Sequence, residues 1–94
     1  MSPPRQAPHR HHDDIVKRLK RAEGHLRSVI DMIDSGRECV DVAQQLQAVE
    51  KAISQAKKKL VRDHIDHCLD EALEDPSRDT GAVLGEFKLI TKYL

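Results

Sequence analysis

Aromatic residues are nearly missing from this chain: Phe87 and Tyr93 are the whole set, and there is no Trp. Ninety-four residues suffice for one domain, but without large rings such a chain has little area to bury by itself. Small chains in this position commonly gain the rest by self-association. Long apolar runs are also missing, so no segment is predicted to span a membrane. Residues 1–14 hold no apolar stretch of the kind a signal peptide requires. Cysteine is scarce, with Cys39 and Cys68 alone. These absences predict a cytoplasmic protein with reduced thiols, in which a Cys/His set reads as metal-binding or reactive rather than as a disulfide. Alternating apolar runs and hairpin dipeptides such as Asn-Gly are lacking, which excludes a sheet. No nucleophile–base pair or phosphate loop is visible, which excludes the common enzyme classes.

Net charge is absent as a sum but present as a pattern. Lys and Arg total 16, as do Asp and Glu. Residues 1–30 hold seven bases against three acids, and residues 51–62 five against none. Residues 63–86 reverse this, with eight acids against Arg78. A surface polarised in this way can bind nucleic acid despite a neutral total; the alternative is an ordinary solvated helix face.

Residues 1–12 carry three prolines and three histidines without periodicity and are expected to form a flexible arm, leaving 13–94 as the folded domain. Asp13 or Asp14 can cap the helix that follows. Apolar residues then recur at Ile15, Leu19, Ala22, Leu26, Val29 and Ile33, a heptad seam that requires a partner helix. Ser35-Gly36 ends it. A second helix starts near Cys39 or Asp41 and repeats the rhythm at Val42, Leu46, Val49, Ile53, Ala56 and Leu60. A second stripe, Val61, Ile65, Leu69 and Leu73, takes over before Asp75-Pro76-Ser77 stops the helix. A short third helix fits Val83, Phe87, Ile90 and Leu94, with Gly81 and Gly85 weakening its start. The predicted fold is all-α, with three helices per chain. The two long helices form a hairpin, two hairpins pair into an antiparallel four-helix bundle, and the short third helix packs outside.

His64 and Cys68 are four residues apart, so their side chains lie on one helical face and make half a metal site. Cys39 is 25 residues before His64 on the same helix, about 37 Å away at 1.5 Å per residue, and cannot reach that pair in its own chain. In an antiparallel dimer, Cys39 of one subunit would lie beside His64 and Cys68 of the other. Such a soft S₂N set suits Cu(I), and with a fourth ligand could serve Zn(II) or Ni(II). Read singly, Cys39 could be a small helix-start residue, Cys68 a core residue and His64 an interfacial histidine. The three together at this spacing favour a site. His67 and His25 read as surface residues. His9, His11 and His12 form a local cluster that could bind divalent metal weakly or be no more than a soluble tail.

Leu19-Lys20-Arg21-Ala22-Glu23-Gly24-His25-Leu26-Arg27 resembles the R-x-E-G-Q-hydrophobic-R stretch of the copper-sensitive operon repressor family, which has nickel/cobalt-sensing and formaldehyde-sensing relatives. Cys39 with Gln45-Leu46-Gln47-Ala48-Val49, and Asp63-His64-Ile65-Asp66-His67-Cys68, are similar to two further segments of that family. The likeness runs from about residue 13 to the C-terminus. It implies a homotetramer of paired hairpin dimers that binds operator DNA when metal-free. Metal held between subunits by Cys39, His64 and Cys68 would release the DNA and derepress efflux genes. It also implies DNA contacts from Lys17, Arg18, Lys20, Arg21 and Arg27, with Lys51, Lys57, Lys58 and Lys59 as further candidates. Glu86 would be the acid supporting the ligand histidine. Nickel-sensing relatives add an N-terminal histidine, for which His9, His11 and His12 are candidates, so Cu(I) is favoured with Ni(II), Co(II) or Zn(II) as alternatives. The chain departs from the pattern at His25, where the family has Gln, at Glu38, where copper sensors often have Tyr, and at Glu50, where relatives carry Arg. Two other functions compete: a thiol sensor of formaldehyde or another electrophile through Cys39, and a helical scaffold or metal carrier without a DNA role.

Overall fold

The computed structural model describes residues 12–74, 77 and 79–94, and among them all regular structure is helical. Helix α1 spans His12–Asp34, α2 spans Cys39–Glu74 and α3 spans Thr80–Thr91. Two compact units divide these helices, one comprising Asp13–Ala56 and the other containing Lys57–Leu94.

In the first unit, α1 packs against the first half of α2. Helix α1 begins at His12, one residue inside the expected arm, so Asp13 and Asp14 lie in its first turn rather than capping it. There they face the positive end of the helix dipole, a favourable place for acids. The buried residues of α1 are Ile15, Ala22 and Val29, seven apart, and those of this part of α2 are Val42, Val49 and Ala56, also seven apart. Val29, Val42 and Val49 form the core, with Met32 packed against them. The predicted seams are therefore split. The rows just named are buried inside the chain, whereas Leu19, Leu26, Ile33, Leu46, Ile53 and Leu60 remain 37–56% exposed.

The turn between α1 and α2 is made by Gly36, at φ +80°. The Arg37 N–H donates to the Met32 carbonyl at 2.9 Å and the Gly36 N–H to the Ile33 carbonyl at 3.1 Å. This 6→1 and 5→2 pair satisfies carbonyls that the helix end would leave without partners.

In the second unit, Val61, Cys68 and Val83 are buried. Helix α3 starts on a side-chain cap: the Gly81 N–H donates to Asp79 Oδ1 at 2.9 Å. A Cβ at Gly81 would come within 3.3 Å of that oxygen, so the glycine expected to weaken the helix leaves room for its cap. The helix closes at Thr91, which leaves Leu94 beyond it rather than on its apolar stripe.

Candidate metal centre

Helix α2 continues without a break through residues 63–68, so the i, i+4 spacing places His64 above Cys68 on one face. Helix α3 brings Glu86 to the same place. A ring nitrogen of His64, Sγ of Cys68 and a carboxylate oxygen of Glu86 all lie within 4.8 Å of one another. With ligand bonds of about 2.0–2.3 Å, the donors of a single ion sit about 3.5–4 Å apart, so small side-chain rotations would close these three around one. Cys68 is buried, His64 half-buried and Glu86 exposed, which leaves the site open on the carboxylate side. The Cys68 thiol donates to Glu86 Oε2 at 3.6 Å. The donor chemistry, nitrogen, sulfur and oxygen converging from two helices, fits a metal ion.

Cys39 is not part of this cluster. It is exposed at the start of α2 and lines an open groove with Ile33, Arg37, Val42, Ala43 and Leu46. Neither cysteine is in a disulfide. His12 is half-buried at the start of α1, and His9 and His11 lie outside the described residues. His67, read as a surface residue, pairs with Glu71 one turn on at 3.2 Å.

The candidate DNA-contacting residues are exposed along α1 (Lys17, Arg18, Lys20, Arg21, Arg27) and α2 (Lys51, Lys57, Lys58), with Lys59 half-buried. Three have acidic neighbours one turn away: Arg18 with Asp14 at 3.1 Å, Arg27 with Glu23 at 3.7 Å and Lys59 with Asp63 at 3.8 Å. The two exposed pairs on α1 contribute about 0.3–0.5 kcal/mol each and give way readily to a stronger anion.

Two features escape a reading of the sequence alone. Asp63, next to His64, has Oδ2 buried without a hydrogen-bond partner among the described residues, and it pairs with Lys59 Nζ at 3.8 Å. His25 is half-buried, and its Nε2–H donates to Gln45 Oε1 at 2.6 Å, the carboxamide oxygen having no proton to give. The faint signal for the second was the 3-4 spacing of Arg18, Arg21 and His25, which puts them on one helical face.

A model of the metal-sensitive transcriptional repressor family matches residues 11–92. The copper-sensing transcriptional repressor CsoR of Bacillus subtilis is 37% identical over 82 residues, covering 85% of this chain and 81% of that protein. The copper-sensing transcriptional repressor RicR of Mycobacterium tuberculosis is 32% identical over 74 residues, covering 79% and 77%. The copper-sensing CsoR of Mycobacterium ulcerans is 38% identical over 60 residues, covering 64% and 51%. No solved structure is significantly similar to the chain.

Proposed function

The chain belongs to the metal-sensitive transcriptional repressor family, and on that premise we propose that it is a copper-responsive repressor: metal-free it holds operator DNA, and on loading with Cu(I) it lets go, so that efflux or detoxification genes are transcribed. The observation that carries this reading is the convergence of His64, Cys68 and Glu86 within 4.8 Å. The family is one of repressors, not enzymes.

Cu(I) would supply a soft cation that favours thiolate and imidazole donors in low coordination number. Cys68 would hold the ion as a thiolate and His64 through a neutral ring nitrogen. Glu86, the acid brought beside them by α3, would orient the imidazole through its other ring N–H. The third ligand in this reading is Cys39 of a second copy, brought in by antiparallel pairing. Two observations support that source. Cys39 is exposed beside an apolar groove. The uncovered seam residues Leu19, Leu26, Ile33, Leu46, Ile53 and Leu60 leave an apolar surface that a partner helix would cover. Full burial of each such side chain is worth roughly 1.5–3 kcal/mol, and about half of that is not gained by the chain alone. We take the assembly to be a four-helix bundle of two hairpins, paired again into a tetramer.

DNA binding falls to the exposed bases of α1, Lys17, Arg18, Lys20, Arg21 and Arg27, with Lys51, Lys57, Lys58 and Lys59 of α2. The last three precede His64 by less than two turns on the same helix, so a change at the metal site reaches them through a rigid element. No described helix is long and apolar enough to cross a membrane.

A nickel- or cobalt-sensing alternative draws on one observation: the third donor atom in reach is the harder oxygen of Glu86, to which His12, His9 or His11 could be added. Anaerobic titration separates the readings. Reduced protein bound to duplex DNA selected from a random pool should release it on addition of Cu(I), at lower concentration than with Ni(II), Co(II) or Zn(II). Retention of DNA at saturating Cu(I) would refute the copper reading.

A further inference from the structure

The first unit holds a second polar feature, distinct from the metal cluster. Arg18, Arg21 and His25 share one flank of α1, and Gln45, Ala52 and Gln55 share one flank of α2. Between these flanks lies an open groove lined by Arg18, Arg21, Ala22, His25, Ala52 and Gln55. Its floor is two alanines, so the middle is unfilled. The groove also carries two guanidinium groups and a carboxamide, and no acid among the described residues lines it. Asp14 engages Arg18 from one turn earlier through an exposed pair, with the two side chains 53% and 45% exposed. Such a pair is readily exchanged for an anion held bidentately by the guanidinium fork. The His25–Gln45 hydrogen bond crosses from α1 to α2 beside the groove and joins its two walls.

We propose that this groove seats one backbone phosphate of DNA, with Arg18, Arg21 and the Gln55 carboxamide as donors and the His25–Gln45 bond as the latch that holds them at phosphate spacing. The inference rests on the repressor reading and extends it. It adds Gln55 as a contact residue, and it makes His25 and Gln45 positioning residues that need not touch the DNA. A phosphodiester suits the site better than a free small anion, because the groove is open to solvent and lies on the flank of a helix whose other exposed bases can follow a strand. The hydrogen bond to Gln45 needs only a donor at position 25, which a glutamine side chain can also supply.

The test uses the metal-free full chain and a short mixed-sequence duplex at low salt, because phosphate contacts do not read sequence. Gln55→Ala should weaken binding several-fold at unchanged melting temperature. Arg21→Ala should weaken it further and lower the slope of log affinity against log salt by about one. His25→Leu should weaken binding, while His25→Gln restores it; a purely structural role for His25 would show as a fall in melting temperature that tracks the loss of affinity. The Gln55 side-chain amide signals should shift on adding duplex. Wild-type protein that binds duplex while Gln55→Ala and His25→Leu bind equally well overturns the groove and leaves the repressor reading standing. Gln55 signals that shift with inorganic phosphate but not with duplex overturn the phosphodiester assignment in favour of a small anion. Wild-type protein that binds no duplex at all overturns the repressor reading itself, and the groove with it.

Discussion

Cys68 is the buried member of the proposed metal site, and its thiol is engaged with Glu86. Replacing it by Ala removes a ligand and also leaves a small void in the second unit. Cys68→Ala should therefore lose orders of magnitude in Cu(I) affinity but cost only roughly 1 kcal/mol in stability. Competition with a chromophoric Cu(I) chelator and a thermal melt measure the two effects separately. Glu86→Gln keeps the shape and removes the charge. If Glu86 orients His64, affinity should fall about 10–100-fold; unchanged affinity would place Glu86 outside the site. Protons compete with metal for thiolate and imidazole, so binding should release protons and weaken as pH falls. Proton release measured during titration in weakly buffered solution checks the sign.

At the scale of elements, the helix ends are held by two local devices. Gly36 at φ +80° makes the α1–α2 turn, and nothing lies within 4 Å of where its Cβ would be. Gly36→Ala therefore meets no neighbour, and its whole cost is the left-handed backbone, roughly 1–2 kcal/mol, read as a lower denaturation midpoint. Asp79 caps α3, the helix that carries Glu86. Asp79→Ala should cost about 1 kcal/mol, and because it loosens α3 it should also weaken metal binding slightly. A variant that melts earlier with metal affinity wholly unaffected would mean that α3 does not contribute to the centre.

For the whole molecule, the uncovered seam sets the expectation. The protein should sediment as a dimer or tetramer at micromolar concentration, and Leu46→Glu with Ile53→Glu should break the assembly. A stable monomer of 10.7 kDa in analytical ultracentrifugation would remove the partner-supplied ligand along with the bundle. Complementation tests the shared site directly. A Cys39→Ala chain is mixed with a His64→Ala/Cys68→Ala chain and the subunits are allowed to exchange. In the mixed dimer one end regains all three ligands and the other has none, so half the tight sites should return. If exchange is verified and none return, the ligands do not come from two chains.

The sequence by itself determined the three helices, because heptad rhythm and the Gly36 turn act locally and need no knowledge of distant residues; the expected stop at Asp75-Pro76 lies outside the described residues. It determined the His64–Cys68 pair for the same reason: four residues on a helix is a fixed geometry. It pointed to Glu86 through family likeness rather than through any local rule. Tertiary structure alone decided what lies across from what. The heptad pattern marks two rows on each long helix without saying which row is buried inside the chain; packing buries Ile15, Ala22 and Val29 against Val42, Val49 and Ala56 and leaves the leucine and isoleucine rows uncovered. The His25–Gln45 bond joins residues 20 apart on different helices. Periodicity describes one helix at a time, so a contact of that kind exists only once the two helices have met.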